Sequence, residues 1–310
     1  MFTGRVFFCG IFLLSALGGS IAKATDFFDF QNQSREERES VYWFPLLGLA
    51  IPGLPQFLNG QTGPGAVYLG VAAVGLGAAV SSYSSIENSS LGNDYSSYTD
   101  QEKLFDWGTQ TYQDIGLLSV YHAFRTSALD RHNRSGDFDF LPQAQETSGT
   151  LFLSPFRLDY LRYPSVFIPL GLFAGGAILS HNIGSNGSPT FTWSDGFFTA
   201  ATSYNAGVGE EAFFRGYLMM NFRQSWGSDF WSLTASSVLF GAAHISSDNP
   251  YPWPQLIGGF YLGWLAQHDD WTLSRNVFVH AWWDIIAFIS EFSSDTVHPK
   301  VMLPLVDARF

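Results

Sequence analysis

The sequence predicts an all-α protein: a polytopic membrane helical bundle of about eight spans after an N-terminal signal sequence. Three observations carry this. Only 14% of the 310 residues are charged while 46% are hydrophobic, and the apolar residues gather into runs. The runs are continuous rather than alternating, which rejects an outer-membrane β-barrel even though the last residue, Phe310, would suit one. Glycine, alanine and serine fill the gaps between large side chains, as close packing of membrane helices requires. Mean hydropathy is a modest +0.06, diluted by the polar stretches 84–106 and 130–150.

Charge and cysteine usage narrow the classes further. A net charge of −12 excludes nucleic acid as a partner, since its phosphates need a basic footprint. The single cysteine, Cys9, cannot form an intrachain disulfide, and Val-Phe-Phe-Cys lacks the small residues that precede a lipidated cysteine. At the N-terminus, Arg5, the apolar run Val6 to Leu17 and Ala22-Lys23-Ala24 read as a signal sequence over 1–24. An uncleaved first anchor is the alternative; the shortness of the run and the A-x-A-like exit favour cleavage. With the aromatic richness, a signal sequence places the chain in a bacterial envelope, as an integral protein of the cell membrane in contact with the lipid bilayer.

Along the chain, 25–40 is a polar surface segment. Tyr42 to Leu58 is a first span broken by Pro45, Pro52 and Pro55. A Gly/Pro/Asn turn over 59–65 leads into a second span, Ala66 to Val80, so that Pro-Gly-x-x-Gln-Phe-x-Asn-Gly marks a helical hairpin. The stretch 84–106 is an exposed loop, and Trp107 to Phe124 is a weak span because it carries Asp114 and His122. Residues 125–163 hold Arg125, Arg131, Arg134, Arg157 and Arg162 and face the cytoplasm by the positive-inside tendency. Pro164 to Leu179 is the next span, followed by an outward loop, His181 to Trp193. The last four apolar segments are Phe197 to Met220, Phe230 to Ala243, Leu256 to Ala266 and Val277 to Phe292, and the tail is 293–310.

The chemistry lies in those last segments. Gly209-Glu210-Glu211-Ala212-Phe213-Phe214-Arg215-Gly216 puts three charges into an apolar helix, where charge is costly and marks function. At about 100° per residue, Glu211 and Arg215 share a face one turn apart, while Glu210 points roughly 140° away from Arg215. Glu211 and Arg215 can therefore neutralise each other and leave Glu210 to a polar cavity, where a partly desolvated carboxylate suits a general base. The competing interpretation is one structural charge network, which an apolar span makes the weaker of the two. His244 ends its segment one turn after Phe240, and on its own is an ordinary core histidine. His280 and Asp284 share a face, so the carboxylate can fix the imidazole tautomer; on its own that is an ordinary helix-surface pair.

Taken in order, Glu210-Glu211-Ala212-Phe213-Phe214-Arg215, Phe240-Gly241-Ala242-Ala243-His244 and His280-Ala281-Trp282-Trp283-Asp284 resemble the CAAX protease and bacteriocin-processing family of intramembrane proteases, which includes the type II CAAX prenyl endopeptidases. The continuation Phe214-Arg215-Gly216-Tyr217-Leu218 is similar as well. The resemblance covers about 164–292, a catalytic membrane domain, and leaves 25–163 as an N-terminal membrane region that adds nothing to it. It implies hydrolysis of a peptide bond in a protein or peptide substrate within a membrane cavity. Glu210 would activate water with help from His244, Glu211 and Arg215 would form the neighbouring charge pair, and His280 and Asp284 would stabilise the oxyanion or shape the site. Asp284 stands where prenyl endopeptidases tend to carry Asn, which weakens a direct oxyanion-donor role and a prenylated substrate.

Two questions stay open in the sequence. Glu210, His244 and His280 could ligate zinc, which takes N and O ligands with one position open, or the glutamate could work without a metal. No H-E-x-x-H helix is present, and the metal-free scheme is slightly favoured. Outside enzymology, the chain could be a non-catalytic immunity or scaffold protein retaining the fold; the complete polar set argues against a decayed site. A transporter with a proton relay would show matching halves, whereas the polar residues of the site all sit in the second half.

Overall fold

A computed structural model describes residues 41–86, 98–135, 140, 143, 146–184, 191–245 and 249–292. The expected signal sequence 1–24, the polar segment 25–40 and the tail 293–310 lie outside the described residues. Every regular element among the described residues is helical, in agreement with the all-α expectation.

The first expected span is not one helix. A 3₁₀ turn, Phe44–Leu46, leads to two short helices, α1 (Leu47–Ala50) and α2 (Leu54–Leu58). The break falls at Gly53, whose φ of +92° only glycine adopts without strain and whose missing Cβ would meet Gly65 O at 2.3 Å. The Pro-Gly-x-x-Gln motif then locks this bent segment onto α4 (Asp100–Ser135). Gln56 donates to the Ser119 carbonyl at 2.8 Å, Ser119 Oγ donates to Gln56 Oε1 at 2.8 Å, and Gly53 N–H donates to Ser119 Oγ at 3.0 Å. All of these groups are buried, so each must be paired inside the protein.

Helix α3 (Thr62–Ile86) packs antiparallel along α4. The loop expected over 84–106 is corrected at its end: α4 begins at Asp100, capped by Thr99 and Glu102, whose side chains exchange hydrogen bonds with each other's backbone N–H at 2.7 and 3.3 Å. This is a capping box, S/T-x-x-E, legible as Thr99-Asp100-Gln101-Glu102. Nor does α4 end at Phe124; it runs to Ser135 and includes Arg125, Arg131 and Arg134, which the sequence places in the basic run beyond the span. Its 36 residues reach about 54 Å, well beyond the hydrocarbon thickness of a bilayer.

A short helix, α5 (Ser148–Leu153), and two 3₁₀ turns lead to α6 (Pro164–Gly184), then α7 (Trp193–Glu211). From α7 the chain continues unbroken through a π-helical segment, Ala212–Met219, into α8 (Met220–Trp226). The expected loop from His181 to Trp193 is shorter than predicted, because α6 extends to Gly184 and Thr192 caps α7 through a second capping box with Asp195. Helices α9 (Asp229–Ala243), α10 (Trp253–His268) and α11 (Ser274–Phe292) complete the bundle. α7 packs against α11 on one side and α4 on the other, and α9 packs on α10. Lys103 and Asp195, both buried, pair at 2.5 Å and pin the starts of α4 and α7 together.

Of the eight expected spans, one described helix, Thr62–Ser84, is long and apolar enough to cross a membrane by composition alone, and Pro164–Leu179 is a shorter apolar helix. The others carry polar residues that packing turns inward, such as Thr111, Ser119, Thr202 and Ser236, and these lower their mean hydropathy. The outward faces remain apolar: Val80 is 67% and Leu172 74% exposed, with Val74, Leu179 and Phe230 likewise bare. An apolar exterior around a polar interior is the arrangement that lipid favours and water does not.

Candidate active site

The three sequence pieces meet where α7, the end of α9 and α11 come together. Close approach of α7 to its neighbours depends on two glycines. A Cβ at Gly207 would lie 2.9 Å from Ala281 N, and one at Gly209 would lie 2.7 Å from both Cβ and O of Asp114. The backbone next to Glu210 thus touches α11 and α4 almost directly.

Arg215 and Glu211 are wholly buried and paired at 2.8 Å, the one-turn pairing that helical spacing predicts. The guanidinium also donates to the Gly259 carbonyl at 3.1 Å and lies 4.3 Å from the ring centre of Phe240. Phe240 is therefore more than a spacer before His244. Its ring contacts Arg215, stacks obliquely with His244 at 4.6 Å and meets His280 edge-on at 5.8 Å, forming the floor of the cluster.

His280 takes its orientation from a partner that spacing did not indicate. Its Nδ1 is 2.7 Å from Glu211 Oε1, while Asp284, the expected orienting carboxylate, lies 3.5 Å from the other nitrogen, Nε2. A carboxylate only accepts, so Nδ1 of His280 carries the hydrogen that Glu211 receives. His244 Nδ1 is 2.7 Å from the Phe240 carbonyl and by the same reasoning donates to it. The Nε2 atoms of both histidines then face Oε2 of Glu210, at 3.7 Å from His244 and 3.9 Å from His280. Glu210 keeps 13% of its side chain exposed whereas Glu211 has none, so Glu210 is the carboxylate that water can reach.

Two features were missed in the sequence. The first is the π-helical turn over Ala212–Met219, which begins directly after the acidic pair and contains Arg215. Such widened turns concentrate at functional sites. Its loosened ladder leaves the Phe214 carbonyl to accept from Ser236 Oγ at 2.7 Å. The second is Asp114. It comes from α4, in the half of the chain expected to add nothing, and its carboxyl is buried within the electrostatic reach of Glu210, His280 and Asp284. That corrects the expectation that the polar residues of the site all sit in the second half. The signal was visible as a charge inside an aromatic-rich segment.

Zinc ligation by Glu210, His244 and His280 finds no support in the geometry: among the described residues no group of three His, Cys, Asp or Glu side chains is placed to hold a metal ion. Near the site, an apolar groove of about 330 Å³ runs between α6 and the outer face of α11, lined in part by Leu161, Phe167, Leu170, Phe278, Trp282 and Ile286.

No curated protein and no solved structure matches the chain. A family model does match, over residues 192–286, and its description is type II CAAX prenyl endopeptidase Rce1-like. The match starts at the capping residue of α7 and ends two residues after Asp284, so it takes in Glu210, Glu211, Arg215, His244, His280 and Asp284 and leaves Asp114 outside. Over this helical stretch, about a third of its length, the chain is similar to the Rce1-like family of type II CAAX prenyl endopeptidases.

Proposed function

We propose that the protein is an intramembrane endopeptidase that hydrolyses a peptide bond in a membrane-associated substrate, with Glu210 activating the attacking water. The observation that carries this is the convergence of two imidazole Nε2 atoms on one oxygen of a partly exposed carboxylate, at 3.7 and 3.9 Å. With its hydrogen on Nδ1, neutral His244 presents an acceptor to another acceptor, Glu210, at a separation too long for a direct hydrogen bond. A water that donates to both satisfies the pair, and its oxygen is left free to attack.

The remaining steps follow from the same contacts. Glu210 takes a proton from the water as its oxygen adds to the substrate carbonyl. His280, anchored through Nδ1 on Glu211, presents Nε2 to the same space, where a proton on it stabilises the developing oxyanion. Collapse of the tetrahedral species breaks the C–N bond, and the proton held by Glu210 passes to the leaving amine. Glu211 and Arg215 neutralise each other and hold His280 in place. Asp284 adds negative charge beside Nε2, so a substrate with a free carboxylate close to the scissile bond, such as a short CAAX terminus, is a poor fit. A bacterial cell membrane is the setting that the signal-like N-terminus supports.

The test is hydrolysis of a fluorogenic peptide library by the full chain in detergent. Glu210→Gln should lower kcat by about 10²–10⁴-fold with the fold intact. Equal rates for wild type and Glu210→Gln, or no turnover of any peptide, would sink the proposal. Dialysis against a chelator should leave the rate unchanged; loss of activity that zinc restores would bring the metal back.

A further inference from the structure

Asp114 brings the N-terminal half into the site, and its surroundings are unusual. Among the described residues, both carboxyl oxygens are buried with no hydrogen-bond partner, and so are Oε2 of Glu210 and Oε2 of Glu211. Asp114 as a whole is 3% exposed, and its backbone lies against Gly209, the residue before Glu210. Buried polar atoms without partners are rare and call for an explanation.

Charge bookkeeping supplies one. The charged groups within electrostatic reach of Asp114 are Glu210 from α7 and His280 and Asp284 from α11, with Glu211, Arg215 and His244 completing the cluster. Even with His280 carrying a proton on both nitrogens, the carboxylates of Asp114, Glu210, Glu211 and Asp284 would stand against only the guanidinium of Arg215 and the imidazolium of His280. Uncompensated charges of one sign are costly in an interior, whereas two carboxyl groups that share a proton form a stable unit. Glu211 is engaged by Arg215 and His280, and Asp284 sits beside His280 Nε2. With Glu211 anchored through Oε1 and Asp284 3.5 Å from His280 Nε2, Asp114 and Glu210 are the two carboxyl groups left to share a proton.

We propose that Asp114 shares one proton with Glu210, directly or through one water, and is a positioning residue that holds the Glu210 carboxylate toward His244 and His280. The inference rests on the protease reading for its catalytic consequence and on the buried, unpartnered oxygens for its structural one. Gly209 fits the arrangement, because any side chain there would push α4 and Asp114 away from Glu210.

Two substitutions and one spectrum test it on the full chain in detergent. Asp114→Leu keeps the branched shape, though with larger methyl groups, and removes the proton, and should lower kcat at least 100-fold with KM within about threefold. Asp114→Asn still donates a hydrogen bond and should recover at least tenfold of that loss. Infrared difference spectra with isotope-labelled aspartate should show the C=O stretch of a protonated carboxylic acid in wild type that is absent in Asp114→Asn. Undiminished turnover in Asp114→Leu, an Asp114→Asn enzyme no better than Asp114→Leu, or a wild-type spectrum without that band would each overturn the proposal. If the band is present and lost on substitution while wild type hydrolyses nothing, the shared proton stands and the protease assignment fails.

Discussion

His280 Nδ1 and Arg215 Nη1 converge on the same oxygen, Oε1 of Glu211, at 2.7 and 2.8 Å. One fully buried carboxylate thus neutralises a guanidinium and fixes an imidazole on a different helix. Glu211→Gln should separate these duties. The amide oxygen can still accept from one of them, but Arg215 loses its counter-charge, and removing one partner of a buried pair costs about 3–5 kcal/mol. The expected outcome is a clear fall in thermal stability in detergent together with a 10–100-fold fall in kcat, as for other lost orienting partners. Unchanged stability would show that Arg215 finds its compensation elsewhere.

Gly209 and Gly77 make a matched pair of helix glycines. A methyl at Gly209 meets Asp114 backbone and Cβ at 2.7 Å, whereas nothing lies within 4 Å of one at Gly77. Gly209→Ala should cost about 1–3 kcal/mol from overpacking and reduce activity through the shift of α4. Gly77→Ala should be neutral or slightly stabilising, since alanine is the better helix former. Thermal melts and turnover of the two variants side by side decide it.

Glu146 lies in the connection between α4 and α5 and caps α11. Its carboxylate accepts from the N–H groups of Leu273 and Ser274 and from Ser274 Oγ, all between 2.7 and 2.9 Å. Burial pushes its pKa above the ordinary glutamate value, against the opposing pull of those hydrogen bonds and of Arg125. For a folded-state pKa raised in this way, the linked stability is fully present below the unfolded value and is lost as pH rises through the folded one. Relative to Glu146→Gln, wild type should therefore lose stability as pH rises from 4.5 upward. A melting-temperature difference that stays flat across that range would contradict it.

The bare apolar faces predict how the chain responds to charge. Leu172 on α6 is 74% exposed. On the surface of a water-soluble protein, Leu172→Arg would change stability by no more than about 0.5 kcal/mol. Facing hydrocarbon, an arginine at mid-helix costs about 2.5–3.5 kcal/mol of insertion. The yield of carbonate-resistant, membrane-bound protein should accordingly fall for Leu172→Arg, and equal yields would place that face in water.

The site was legible to different depths at different residues. Glu211 and Arg215 pair as one-turn spacing says, because an i,i+4 contact is decided within a single helix. The neighbouring i,i+4 pair, His280 and Asp284, shares a face as spacing says, but spacing does not show which carboxylate orients the imidazole. Asp284 lies beside His280 Nε2, and the orienting hydrogen bond goes to Glu211, 69 positions away. The start of α4 is legible in Thr99 and Glu102, although the polar residues around it have the composition of a loop.

By itself the sequence determined the helical class, the membrane character and the three pieces Glu210 to Arg215, Phe240 to His244 and His280 to Asp284. All of these follow from hydropathy and from the 3.6-residue period, which are local properties. Only the tertiary structure decided that both imidazoles turn Nε2 toward Glu210, that a π-helical turn follows the acidic pair, and that Asp114 joins from α4. A buried aspartate has the same sequence neighbours whether its helix turns it toward a site or toward another partner. Packing between helices far apart in the chain makes that choice, here through the contact of Gly209 with Asp114.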